Sequence, residues 1–100
     1  MVITVFRSRL RPEHADEFRE LADKMLALAK TMPGFVSYKS FTSDDAERCS
    51  IIEFDSAENL RAWREHPEHR QAQALGRQRF YAEYSLQVGE PEHESRFRHE

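Results

Sequence analysis

The sequence predicts an α+β domain, an antiparallel sheet with helices on one face, in the order strand, helix, strand, strand, helix, strand. Three observations lead there. A β-branched stretch opens the chain at residues 2–10, an apolar rhythm of three- and four-residue steps follows over 15–32, and a strict alternation runs over 80–88. One hundred residues hold one core, so any site must be carved from it or shared with a second copy of the chain.

In the first strand, VITVFRSRL, Val2, Thr4 and Phe6 fall on one side and Ile3 and Val5 on the other. Pro12 suits a first helical turn. Ala15, Phe18, Leu21, Ala22, Met25, Leu28, Ala29 and Met32 then form one apolar stripe of a long helix, which Pro33 and Gly34 end. FVSYKSF (35–41) predicts a second strand, TSDDAE (42–47) a turn, and RCSIIEFD (48–55) a third strand paired with the second as a hairpin. Ser56 or Asp55 can cap the next helix, which carries Ala57, Leu60 and Trp63 inward.

Pro67 interrupts that helix, because it has no N–H to offer and its ring clashes with the Trp63 carbonyl. A second helical piece is expected from Pro67 to about Leu75, with Gly76 as its C-cap. In the fourth strand Phe80, Ala82, Tyr84, Leu86 and Val88 alternate with Tyr81, Glu83, Ser85 and Gln87, which places Tyr84 in the core beside Phe80 and Leu86. The domain is therefore expected over 1–88. Residues 89–100, GEPEHESRFRHE, form a charged tail whose only large apolar group is Phe97, frayed or docked on a partner subunit.

This order is the ferredoxin-like arrangement. Its strands carry large apolar groups on both sides, as with Phe35 and Phe41 against Val36 and Tyr38, or Ile51 against Ile52 and Phe54. The helix-free face then needs a cover, and a homodimer packed sheet to sheet is the expected one.

Net charge is −3, with 15 basic residues scattered among 18 acidic ones, so neither nucleic acid nor an anionic membrane is an expected partner. The N-terminal apolar run breaks at Arg7 and has no basic region before it, which points to a cytoplasmic protein. Cys49 is the single cysteine, so no intrachain disulfide or cysteine redox pair can form, and it reads as an inert buried thiol. Gly34, Gly76 and Gly89 are dispersed and make no phosphate-binding loop, so no nucleotide or flavin cofactor is expected by those motifs.

The stretch NLRAWREHPEH (59–69) concentrates the chemistry. Asn59 and Trp63 are four apart, about 40° around a helix, so the amide and the indole can face one space. Each also has an ordinary structural role open to it, Trp63 as the largest core residue and Asn59 as a partner for an orphan N–H at the helix start. His66 and His69 are spaced for a metal on one helix, but Pro67 breaks that geometry and no third ligand is marked, so no metal is expected.

PGFVSYKSF, SAENLRAW, the following HPEH and GRQRFYAEYSLQV together resemble the antibiotic biosynthesis monooxygenase family of dimeric α/β barrel proteins, over residues 1 to about 88. The resemblance implies a pocket between the sheet and the second helix. It also implies, for the branch that oxidises aromatic polyketides without a cofactor, an Asn, a Trp four residues later and a Tyr six beyond that hold and deprotonate the substrate. Asn59 and Trp63 match; His69 stands where the Tyr would be. The heme-degrading branch fits less well, since Ser8 stands in place of its first-strand Asn and Gln73 in place of its iron-binding His.

Ordinary side chains cannot hand single electrons to O2, so in a cofactor-free site an electron-rich phenol or hydroquinone must do so after losing a proton. The protein then supplies a dry pocket, hydrogen-bond donors and a base. On this reading the catalytic residues are His69, Trp63 and Asn59, and Trp63, Asn59, Ser8 and Arg77 touch a small aromatic substrate. A heme-binding or heme-degrading protein and a non-catalytic dimeric small-molecule binder are the alternatives.

Overall fold

A computed structural model describes all 100 residues. The strands are β1 (Val2–Leu10), β2 (Phe35–Thr42), β3 (Arg48–Phe54) and β4 (Tyr81–Gly89), and the helices α1 (Ala15–Ala29), α2 (Ala57–Glu65) and α3 (Pro67–Leu75). The strands form one antiparallel sheet in the order β2-β3-β1-β4, so the fold is the ferredoxin-like α+β arrangement. No helix is long and apolar enough to cross a membrane.

Register decides what each face carries. Thr4 lies opposite Ile52 on one side and Val88 on the other, so the row Tyr38, Ile52, Thr4, Val88 shares the helix-bearing face. Beneath the helices the core gathers Val2, Met25, Ala29, Ile52, Phe54, Leu60 and Trp63. The opposite face carries Ile3, Val5, Cys49, Ile51 and Phe41 among charged neighbours, and Phe41 is 48% exposed. Cys49 is half-buried there.

Pro12–His14 forms a 3-10 turn before α1, and α1 ends at Ala29 instead of Met32. The amides of Thr31 and Met32 turn to the carbonyls of Leu28 and Ala29, the tight bonding that closes a helix end. Gly34 follows at φ 80°, a left-handed backbone, with the Asp55 and Asn59 side chains pressed where a Cβ would stand.

Gly76 is the C-cap of α3 as expected, but not in the left-handed form that usually calls for glycine. Its backbone is helical at φ −57°, and the chain continues through a π-turn, Gly76–Phe80. Glycine is required there for room, because a Cβ would sit 2.5 Å from Tyr81 Cε2. The turn buries Phe80 at 2% exposure and starts β4 at Tyr81, where a register shift pairs Leu10 with Tyr81. Tyr84 and Leu86 are consequently not core: on the edge strand they are 43% and 45% exposed. Beyond β4, residues 90–100 contain no helix or strand, and Phe97 is 87% exposed.

Candidate active site

Between the helices and the sheet lies a cavity of about 590 Å³. Thr4, Phe6, Tyr38, Arg48 and Ile52 contribute from the first three strands, Phe18 and Met25 from α1, and Trp63, His69 and Arg77 from the side of α2 and α3. Aromatic and aliphatic side chains make up more than half of its wall, and the remainder is largely basic, with five arginines and His69.

His69 is held by the helix break. Ser56 caps α2 by accepting the Asn59 amide at 3.1 Å, and Leu60 and Trp63 are driven into the core at 4% and 3% exposure. In an unbroken helix the Trp63 carbonyl would accept the N–H of residue 67, and Pro67 has none. That carbonyl instead receives the His66 amide at 3.2 Å and His69 Nδ1 at 3.0 Å. The imidazole also lies flat on the Trp63 indole, with centroids 3.9 Å apart and planes 14° from parallel.

A carbonyl oxygen can only accept, so Nδ1 carries the hydrogen and a neutral His69 keeps its lone pair on Nε2. Burial, ahead of the neighbouring His66 and Arg64 charges, pushes the His69 pKa below its ordinary value despite the hydrogen bond to Trp63. Near neutral pH the cavity therefore holds an unprotonated imidazole with a fixed tautomer, the form a general base requires.

Elsewhere in the cavity Phe6 and Phe18 meet Tyr81 at centroid distances of 5.4 and 5.9 Å, and Tyr84 meets Tyr81 at 5.5 Å. Burial pushes the Tyr81 phenol up to about 12, so it stays protonated and can donate. The Thr4 hydroxyl is buried without a hydrogen-bond partner. Arg48 lies over the Phe18 ring at 5.0 Å and donates at 3.2 Å to both Ser50 Oγ and Ser40 Oγ.

The family model described as antibiotic biosynthesis monooxygenase matches residues 1–75. The chain belongs to the antibiotic biosynthesis monooxygenase family. Among curated proteins it is 29% identical over 93 residues to the uncharacterized protein YqjZ of Bacillus subtilis, covering 93% of this chain and 82% of that one. Among solved structures, Rv0793 of Mycobacterium tuberculosis superposes with a TM-score of 0.83 at 23% identity, over 95% of this chain and 98% of that one. SnoaB of Streptomyces nogalater, described as a cofactor-independent oxygenase, gives 0.80 at 17% identity, over 93% and 94%. At these identities the two structures speak to the fold.

Of the residues expected to make a site in this family member, the structure brings Trp63, His69 and Arg77 to the cavity and leaves Asn59 and Ser8 off its wall. The Asn59 amide donates to Asp55 Oδ1 at 2.8 Å and packs on Gly34, one helical turn from Trp63. It braces the start of α2. Ser8 is buried at 2% exposure on β1, with its hydroxyl unpartnered. His66 caps α3, its Nδ1 accepting the Glu68 amide at 3.2 Å. No three His, Cys, Asp or Glu side chains are grouped to hold a metal ion.

Arg48 and Thr4 carry no site signal in the sequence, and Tyr81, a candidate with Arg77 and Tyr84, is set aside there as non-catalytic. Arg48 reads as the polar first residue of a strand, and its signal was the i, i+2 relation to Ser50 on the helix-bearing face. Tyr81 was assigned to the wrong side because Phe80 was counted into the strand alternation.

Proposed function

We propose that the protein is a cofactor-independent monooxygenase that oxidises a phenolic or quinol-type aromatic substrate with O2. The observation that carries the reading is His69, a buried imidazole whose Nδ1 is tied to the Trp63 carbonyl and whose Nε2 is free to take a proton. The family and the oxygenase description of SnoaB support it.

In the proposed reaction Nε2 removes a phenolic proton, and the resulting phenolate supplies electrons to O2. Oxygen then bonds to a ring carbon, its O–O bond breaks, and a dihydroxyarene plus O2 becomes a hydroxyquinone plus water. The substrate is the reductant, so the equation balances without another donor. Trp63 braces the imidazole by stacking, while the protonated Tyr81 phenol and the unpartnered Thr4 hydroxyl are donors within the cavity. Arg77 stands at the wall, and Asn59 and Ser8 serve the scaffold in this mechanism.

A second copy of the chain covers the open sheet face in the same proposal, burying Ile51, Val5 and Phe41. Oxygen uptake with metal-stripped protein and a panel of naphthalene and benzene hydroquinones tests the chemistry. Wild type should consume O2 above the uncatalysed rate and place one ¹⁸O atom from ¹⁸O2 in the product, with His69→Ala and Trp63→Phe both slower. Uptake at the uncatalysed rate across the panel would remove the oxygenase reading.

A further inference from the structure

Apart from Arg98 in the tail, the arginines divide into two groups. Arg7, Arg9, Arg11, Arg19, Arg79 and Arg96 each pair with a carboxylate. Arg48, Arg61, Arg64, Arg70 and Arg77 have no such partner, and all five line the cavity, where Glu65 is the only acidic residue. In a chain whose net charge is −3, positive charge has been concentrated around one cavity and left unneutralised there. Such a field attracts an anion and repels a cation.

Four of these arginines are exposed, and Arg48 is half-buried. Its guanidinium is fixed by Ser40 and Ser50, whose hydroxyls are themselves 2.7 Å apart, and it lies over Phe18. Those two hydroxyls use two of its five N–H groups, and a carboxylate can take the planar fork that remains. Beside it the rings of Phe6, Phe18, Tyr81 and Tyr84 pack on one another along the cavity wall, a surface against which another aromatic ring can lie.

We propose that the substrate is an aromatic acid and that Arg48 binds its carboxylate while its ring lies among Phe6, Phe18 and Tyr81. An aryl carboxylate is planar with its ring, so one ligand can satisfy the guanidinium and the aromatic box together. The proposal deepens the oxygenase reading and rests on it for the identity of the site, but binding can be measured without turnover.

Isothermal titration calorimetry with 2-naphthoate and its uncharged analogue 2-naphthamide tests this, since neither is a hydroquinone and neither can be consumed. Wild type should bind the acid roughly tenfold or more tightly than the amide, the preference expected of a charge-assisted hydrogen-bonded pair. In Arg48→Gln the ratio should fall to within about threefold, while Arg7→Gln, on the opposite face, keeps it. Should Arg48→Gln fail to fold by circular dichroism, Arg48→Lys, which keeps the charge without the fork, should give an intermediate ratio. Equal affinities in wild type, or a ratio that survives the loss of Arg48, would overturn the proposal, as would tighter binding of 2-naphthyl phosphate than of the acid. Acid-selective binding without oxygen uptake by any hydroquinone sinks the oxygenase reading alone; uptake without acid preference sinks this one alone.

Discussion

His69 owes its chemistry to three neighbours: Trp63 beneath the ring, the Trp63 carbonyl at Nδ1, and the burial that keeps the imidazole uncharged. Replacing it by Gln keeps a hydrogen-bonding side chain but removes the proposed base, and turnover should fall roughly 10²–10⁴-fold with a smaller change in KM. The lowered pKa also sets a sign for stability. Below about pH 6.5 the unfolded chain protonates this histidine and the folded chain resists, so the contribution of His69 is fully present above that value and is lost as pH falls through the depressed folded value. Urea unfolding of wild type and His69→Gln between pH 5 and 7.5 checks it, the wild type losing more stability on the acid side. At this scale the family resemblance pointed to Trp63 and His69, and both line the cavity. It missed that Asn59 is drawn back to Asp55 and Gly34: Asp55 is only four residues away, but Gly34, in the turn before β2, is distant in sequence and packs on the Asn59 amide.

Two helix breaks shape the site at the scale of elements, and they work by opposite means. Pro67 removes an N–H and so frees the carbonyl that orients His69. Pro67→Ala restores the donor and lets α2 and α3 merge, which should retain the fold while lowering kcat by up to about 10²-fold through misplacement of the imidazole. A histidine NMR titration should show the His69 pKa returning toward its ordinary value. Gly76 instead makes room. Gly76→Ala drives a methyl group into the Tyr81 ring and should cost about 1–3 kcal/mol, read as a lower midpoint in chemical denaturation. The proline effect could be read from sequence because it is local and covalent. The role of Gly76 could not, since it depends on a ring that returns five residues later through a π-turn, a rare element with no sequence signature.

The order of strands and helices could be read for the whole molecule, because each element carries its own period and the βαββαβ order admits few topologies. What the sequence did not contain was the reach of the helices over the sheet, so Tyr84 and Leu86 looked like core although they line the open side of the cavity. On the far face two arginines are already tied within the chain. Arg7 holds Glu47 at 2.7 Å and Arg9 holds Asp45 at 2.7 Å, and the Ser43 hydroxyl and Arg9 keep the Asp45 carboxyl well below the usual carboxylate range. Between them Ile51, Val5 and Cys49 form an apolar strip suited to a second copy. Light scattering at micromolar concentration should give twice the 11.8 kDa chain mass, and Ile51→Lys should give the mass of one chain.

The proposed base catalysis by His69 is read out in the pH dependence of kcat/KM for oxygen uptake, measured on metal-stripped wild type and His69→Gln with the same hydroquinone. Wild type should rise along an acid limb centred below pH 6.5 to a plateau through neutrality, following the depressed imidazole, and the limb should vanish with the activity in His69→Gln. An acid limb that persists unchanged without His69 would contradict the mechanism.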